Sequence, residues 1–356
     1  MKQVCIVAGA RPNFVKVAPL MRVFEKAQHV ACTLVYAGRE DDPTLEASLF
    51  DDLQMRRPDV FLGVDSTNLN EITSRVMAAF DSYLDQHETD VVIVVDDLAS
   101  TMAAAIVTKK RGLRLAHLVA GTRSFDITMP KEINRLVIDA LSDYLFTAGV
   151  KNNSIATREQ GDQGQTYMVG NILMDTLRFN HNRLRRPDID IEEGRYLVLT
   201  LNRRALLADE ENLNQMLTAL VEAAGDTPIV APLRGYALEV VSRLLPSITS
   251  RLLLLPSLPY LEFGWLTAHA LGIVTDSGNV VEEATFNGVP CITLNSYTEH
   301  WETVTVGSNE LVGGDARQLS EALQRMLRGE WKKCALPDRW DGRTAERIAQ
   351  ILINEL

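Results

Sequence analysis

The chain has only four cysteines, Cys5, Cys32, Cys291 and Cys334, far apart and without metal-ligand spacing. Cys5 and Cys291 lie in apolar strand-like runs, so free buried thiols are expected rather than a disulfide framework. No apolar run approaches the roughly 18 residues of a membrane span. The opening MKQVCIVAG enters a strand at once, without a signal-peptide core, and a reduced cytoplasm is the expected location. Charge of one sign is not gathered into a tail. The net charge of −11 is spread along the sequence, which argues against broad contact with nucleic acid or an anionic membrane. Any phosphate-bearing ligand would need arginine, lysine and backbone N–H groups placed locally. The GxGxxG dinucleotide fingerprint is absent, no cofactor is expected, and neither short repeats nor low-complexity segments occur.

What the chain does have is apolar substance: 356 residues, 46% hydrophobic, enough for two domains. The runs VCIVAG, CTLVYAG, VVIVVDD, LRLAHLVAG and YLFTAG read as buried parallel strands. Helical patterns such as Val15 to Gln28 and Ser100 to Arg111 lie between them. After the polar stretch HNRLRRPDIDIEEG a second series begins, with RYLVLTLN, TPIVAPL, RLLLLPSL, LGIVTDSGN and VPCITLN. Two successive βα series predict an α/β protein of two Rossmann-like, doubly wound domains with a cleft between them. We place them at residues 1–172 and 173–356, the last helix packing back on the first domain.

Unusual residues collect where strands give way to helices. In AGARPNFVKVAPL, Pro12 suits a first helical turn, with Arg11 before it and Lys16 one turn later, which fits either an anion site or a glycine turn with solvated charges. VVIVVDDLAST puts Asp96 and Asp97 at a strand end, where adjacent side chains diverge and either could cap a helix or act on a substrate. The junction from His117 to Gly149 gathers Arg123, Asp126, Lys131, Glu132, Asn134 and Arg135, fitting either a solvated loop or a site that handles an anion and moves protons. LTLNRR ends a strand with Asn202, Arg203 and Arg204, paired arginines that suit either a diphosphate or a solvated loop. In VTDSGNVVEEATFNGVP, the Ser277 hydroxyl and the N–H groups of 278 to 280 would form a phosphate nest at a helix starting near Val280. Glu282 or Glu283, one turn in, could accept ribose hydroxyls. Ser277 could instead be a plain N-cap. His300, in TEHWE, is an isolated histidine.

Together these segments resemble the non-hydrolysing UDP-N-acetylglucosamine 2-epimerase family over nearly the whole chain. The matching stretches include GARPNFVKVAPL, ASTMAAAI, AGTRSFDITMPKEINR, LTLNRR, LPSLPYLEF, TDSGNVVEEATFNGVP and TEHWETV, in the family's order. The resemblance implies a GT-B architecture, a homodimer, and a sugar nucleotide in the interdomain cleft, UDP or a UDP-N-acetylhexosamine. It implies uridine diphosphate contacts at Ser277, Gly278 and Glu283, with Phe263 near the uracil. Arg11, Lys16 and Arg135 match basic residues on the phosphate and sugar side, and the family's first-domain aspartate falls on Asp97. The implied chemistry eliminates UDP across carbons 1 and 2 of the sugar, then re-adds it with inversion at carbon 2.

The match breaks at acid and base positions. The family's H-x-E-A-G is HLVAG here, so Val119 replaces a carboxylate, and P-E-E-x-N-R is PKEINR, so Lys131 replaces another. Asn202 stands for a histidine, and His300 for a frequent arginine. YAGRED lacks the Gln-His pair with which some members bind an activating second nucleotide. Asp97, Glu132 and Lys131 are therefore the catalytic candidates. Three functions compete: a C2 epimerase with an altered acid/base set, a binding or regulatory relative with little turnover, and a glycosyltransferase on the same architecture.

Overall fold

The computed structural model describes residues 1–161, 164–244 and 251–355. The chain forms two compact units: Met1–Phe179 with Asp338–Leu356, and Asn180–Pro337.

The first unit alternates strands and helices: β1 (Lys2–Ala8), α1 (Arg11–Lys26), β2 (Val30–Tyr36), α2 (Ala47–Leu53), β3 (Val60–Phe61), α3 (Leu69–Leu84), β4 (Val91–Val95), α4 (Ala99–Lys110), β5 (Arg114–Ala120), α5 (Pro130–Leu141), β6 (Tyr144–Thr147), α6 (Val150–Gln160), β7 (Gln165–Met168) and α7 (Ile172–Asn180). Its strands form a parallel seven-stranded sheet in the order β3-β2-β1-β4-β5-β6-β7. The central strands read as unbroken apolar runs because helices cover both sheet faces; every residue of β4 is buried.

The second unit repeats the plan: β8 (Leu197–Thr200), α8 (Arg204–Ala208), α9 (Glu210–Ala224), β9 (Ile229–Pro232), α10 (Gly235–Leu244), β10 (Leu252–Leu255), α11 (Tyr260–Ala268), β11 (Gly272–Thr275), α12 (Gly278–Asn287), β12 (Cys291–Thr293), α13 (Trp301–Thr305), β13 (Asn309–Leu311) and α14 (Ala316–Leu327). Its six-stranded parallel sheet has the order β10-β9-β8-β11-β12-β13. Leucines of α9 and α14 pack with β8 and β9 into its main core. Cys5 and Cys291 are buried free thiols in β1 and β12, both held far above their ordinary pKa by burial.

The C-terminal helix α15 (Thr344–Glu355) belongs to the first unit and lies on α1. Asp175 of α7 secures it, accepting N–H bonds from Thr344 (3.0 Å) and Ala345 (2.8 Å), so that a side chain distant in sequence caps the helix start. Burial pushes the Asp175 carboxyl up to about 6 despite these bonds. Trp340 fastens the approach to α15, donating its indole N–H to the Ala148 carbonyl (3.2 Å).

Candidate active site

Both sheets run outward from a switch point, between β1 and β4 in the first unit and between β8 and β11 in the second. At such a point the flanking crossovers go opposite ways and the strand ends leave a crevice for a ligand. The quoted junctions fall there: residues 9–16 after β1, Asp96 and Asp97 after β4, Asn202 and Arg203 after β8, and 276–278 after β11.

In the first unit, α1 starts at Arg11 with Pro12 in its first turn. Gly9 is required because a Cβ there would lie 2.0 Å from the Ser100 hydroxyl at the start of α4. Neither aspartate caps α4, whose N-cap is Leu98, served by the Thr101 hydroxyl. Asp96 adopts a left-handed backbone, φ +58°, and its carboxylate accepts from Asn13 (2.8 Å) and Lys16 (2.5 Å). Asp97 turns to α5 instead, accepting from Arg135 Nε (2.8 Å) and Nη2 (2.5 Å), with Lys131 Nζ at 3.6 Å. Burial pushes the Asp97 carboxyl up, but Lys131, Arg135 and Lys16 outweigh it and hold it below its ordinary value. Lys131 itself is solvated, its side chain 65% exposed.

Glu132 has a different place. It is 2% exposed and accepts from the Ser124 N–H (2.8 Å), the Ser124 hydroxyl (2.9 Å), the Phe125 N–H (3.1 Å) and Arg135 (3.2 Å). Burial acts to raise its pKa, and those donors lower it below the ordinary glutamate value. A carboxylate so fully engaged ties the loop before α5 to the helix and is a poor proton acceptor.

Two further groups lock this end of the sheet. His117 Nδ1 meets Asp139 at 2.5 Å, and Nε2 meets the Asp96 carbonyl at 3.0 Å. Asp139 also accepts from the Gly121 N–H (3.1 Å) and pairs with Arg123 (2.7 Å), which extends to Glu159 (2.6 Å). Burial opposes the Asp139 charge, and His117 and Arg123 overcome it, holding its pKa low. Beside them the pairing of β5 with β6 slips a register between Leu118 and Ala120. Val119 occupies that bulge at φ +76°, a conformation costing a non-glycine residue about 1–3 kcal/mol and rare for a β-branched one.

In the second unit, buried Asp276 accepts the N–H groups of Asn202 (3.0 and 2.9 Å) and Arg203 (2.8 Å), binding the end of β8 to the end of β11. Burial raises its pKa even against those bonds. Arg203 caps α8 and reaches Tyr297, at 3.2 Å from the hydroxyl and 5.3 Å over the ring. Helix α12 begins at Gly278, earlier than the Val280 expected, and Ser277 makes no side-chain cap to it. The helix start is thus not sealed by its own N-cap hydroxyl. Glu283 is 7% exposed, and among the described residues no hydrogen bond or ion pair engages it. Burial, with the neighbouring Glu282, pushes its carboxyl up to about 8. Phe263 on α11 is partly buried against a second apolar cluster that includes Val280 and Val281.

The model of the UDP-N-acetylglucosamine 2-epimerase family matches residues 22–353. The UDP-N-acetylglucosamine 2-epimerase of Methanocaldococcus jannaschii is 31% identical, covering 98% of each chain. The UDP-2,3-diacetamido-2,3-dideoxy-D-glucuronate 2-epimerase of Pseudomonas aeruginosa is 29% identical, over 91% of this chain and 92% of its own.

The chain belongs to the UDP-N-acetylglucosamine 2-epimerase family.

The crystal structure of the M. jannaschii epimerase in complex with UDP-N-acetylglucosamine and UDP aligns with 99% of this chain and 100% of that one, at a TM-score of 0.84 and 30% identity. The two parallel-sheet units are accordingly the GT-B form of this epimerase family, whose named members are isomerases. Within it, Lys16, Asp97, Lys131, Glu132 and Arg135 are joined by contacts through Asp96, Asp97 and Glu132. Arg11 lies at the start of α1, 4.0 Å from Glu46. Ser277, Gly278 and Glu283 share α12 and its cap, and Arg203 is fixed beside them through Asp276. Neither Asp139 nor the backbone-binding role of Asp276 is evident from a local motif. One signal for the first was available: Glu132, Arg135 and Asp139 recur at helical spacing and share the buried face of α5.

Proposed function

We propose that this epimerase-family protein binds UDP-N-acetylglucosamine, or a related UDP-N-acetylhexosamine, through its second unit. The uridine diphosphate lies at the start of α12, with Ser277 and Gly278 toward the diphosphate, Arg203 nearby, Phe263 toward the uracil, and Glu283 on the ribose. The observation that carries this reading is Glu283, a buried carboxylate without a protein donor. A carboxylate in that state is costly unless something donates to it, and paired ribose hydroxyls supply two donors.

The first unit supplies the sugar chemistry. Removal of the carbon-2 proton by a base expels UDP with the carbon 1–oxygen electron pair and leaves a carbon 1–carbon 2 double bond. UDP oxygen then re-attacks carbon 1 while a proton reaches the opposite face of carbon 2. We assign Asp97 as the group nearest this work, with Arg11, Lys16, Lys131 and Arg135 supplying positive charge. Glu132 serves as a positioning residue for the loop at 124–125 rather than as a base. A second reading, a nucleotide-sugar-binding relative with little turnover, is favoured by one observation: Asp96, Asp97 and Glu132 are all engaged by cations or N–H donors.

Incubation with UDP-N-acetylglucosamine in deuterated water separates these readings. Deuterium at carbon 2, the epimer, or free UDP supports the epimerase. Nucleotide-sugar binding without any of the three supports the second reading, and failure to bind UDP sinks both. We further propose a cytoplasmic homodimer. Ile133, Leu136, Val137 and Ala140 form an outward stripe on α5, the first two 46% and 38% exposed, and a second copy could cover it. Light scattering at twice the monomer mass is the expected result.

A further inference from the structure

At the start of α12 lies a histidine to which the proposed nucleotide site gives no role. His300 caps α13 and is held from three directions. Its N–H donates to the Thr298 hydroxyl (3.0 Å), its carbonyl accepts from Thr303 Oγ1 (2.6 Å), and its Nδ1 meets Glu282 at 2.8 Å. Glu282 is 4% exposed and belongs to α12 itself, so the ring is fastened to the helix whose beginning it covers. Nε2 is the ring atom nearest Gly278: a Cβ on that glycine would lie 2.7 Å from it. Gly278 is thus small because the imidazole occupies the space above it.

Tautomer chemistry gives this arrangement a consequence. Facing a carboxylate oxygen, Nδ1 carries the N–H, and a neutral ring then presents an Nε2 lone pair. A lone pair is acceptable beside the positive end of a helix. It is not acceptable beside a diphosphate oxygen, which can only accept. Resting on the nucleotide site proposed above, with unpartnered Glu283 on the same helix as the independent sign of a ligand, we propose that His300 takes up a proton as the diphosphate arrives. The imidazolium then donates through Nε2 to the diphosphate and through Nδ1 to Glu282. The proton comes from solvent on binding and returns to it on release.

The surroundings favour that charge. The elements packed on this segment bring Glu282 and Glu283 on α12 and Glu310 on β13, the last paired with Arg325; Lys332 donates to the Val304 carbonyl of α13 (2.5 Å). Glu299 and Glu302 lie close to His300 in sequence, on its own segment. Two cations, one of them already paired with Glu310, stand against five acidic groups, which leaves room for a further positive charge.

The test is calorimetric titration of the full-length protein with UDP at pH 7.5 in two buffers of different ionisation enthalpy, which yields the protons taken up on binding. Glu283 exchanges protons too, so the informative quantity is the difference between wild type and His300→Arg, which carries a fixed charge at the same place. We expect the wild type to take up more, by as much as about one proton per site. Relative to His300→Arg, its UDP affinity should fall above neutral pH, by as much as about tenfold per unit. His300→Gln, which can donate but not titrate, should bind more weakly and lack the same uptake. Equal proton uptake in wild type and in whichever variant binds overturns the proposal. Uptake by the wild type that is absent from a binding variant upholds it. If UDP binds neither variant, wild-type affinity that does not weaken above neutral pH in a Glu283→Gln background overturns it, and affinity that weakens upholds it. Failure of the wild type to bind UDP removes the nucleotide site itself, a result distinct from binding without proton uptake.

Discussion

Glu132 in the first unit and Glu283 in the second are both buried carboxylates on short helices, and they have opposite neighbours. Glu132 receives two backbone N–H groups, a hydroxyl and a guanidinium, and its pKa lies below the ordinary value. Glu283 has no such partner among the described residues, and its pKa is pushed up to about 8. Burial alone therefore does not tell a structural carboxylate from a ligand-binding one. The donors around it do. A carboxylate already satisfied by the chain stabilises the fold, and one left unsatisfied at a strand-to-helix crevice calls for donors from outside.

The largest effect that would sharpen this contrast is on stability. Asp139 belongs with Glu132 on the engaged side, holding His117, Arg123 and the Gly121 N–H. Asp139→Ala leaves those groups without their buried partner and should cost about 3–5 kcal/mol in a denaturant melt. Because its folded pKa is lowered, its stabilisation is present above the unfolded aspartate value of about 3.9 and is lost as pH falls through the folded value. Glu283 has the opposite sign. Its folded carboxyl holds the proton more tightly than the unfolded chain does, so stability should decline as pH rises from about 4.3 to about 8 and level off above. Glu283→Gln should flatten that decline without lowering stability at neutral pH. A steep loss of stability in Glu283→Gln would mean that the two carboxylates are alike after all.

Turnover comes next in size. Restoring Val119→Glu, Lys131→Glu and Asn202→His together should raise C2 epimerisation by roughly 10² or more, since each positioned acid or base contributes about 10²–10⁴ and such groups act together. Lys131→Glu also converts the attraction at Asp97, 3.6 Å away, into repulsion, which raises the Asp97 pKa and makes it a better base. Coupled assays of the unaltered protein that already show turnover of about 1–10³ per second would contradict the altered acid/base set.

Smaller effects follow from strain and from a missing pair. Val119→Gly should relieve the left-handed strain at the bulge and raise stability by roughly 1 kcal/mol, net of the glycine entropy cost. UDP-N-acetylglucosamine should not activate the protein cooperatively. Where the Gln-His pair would stand, Arg39 is committed to Asp41 and Asp65 on the surface. A sigmoidal binding curve that straightens with added nucleotide would argue otherwise.

Much of the fold was legible because buried parallel strands are continuous apolar runs: β1, β4, β5 and β6 lie within the quoted stretches, and β2 overlaps its own from Cys32 on. The short strands β3 and β13 were not: β3 has only two residues, and β13 has three of mixed polarity. At the site, residue type and spacing identified Ser277, Gly278, Asp97 and Arg135 as candidates, because phosphate nests and paired charges depend on local sequence. What Glu132 and Asp276 do was not legible. Each carboxylate is satisfied by backbone N–H groups brought to it by the fold, from Ser124 and Phe125 in one case and from Asn202 and Arg203 in the other. Backbone N–H groups carry no residue signature, so no side-chain pattern announces them.

The most direct test of the central claim is titration of UDP into the wild type and into Glu283→Gln at neutral pH. If Glu283 is the unsatisfied acceptor that waits for ribose hydroxyls, the variant should stay folded and bind UDP more weakly by about 1–3 kcal/mol, or roughly 5- to 150-fold. UDP affinity unchanged in a folded Glu283→Gln protein would show that the nucleotide, if bound, lies elsewhere.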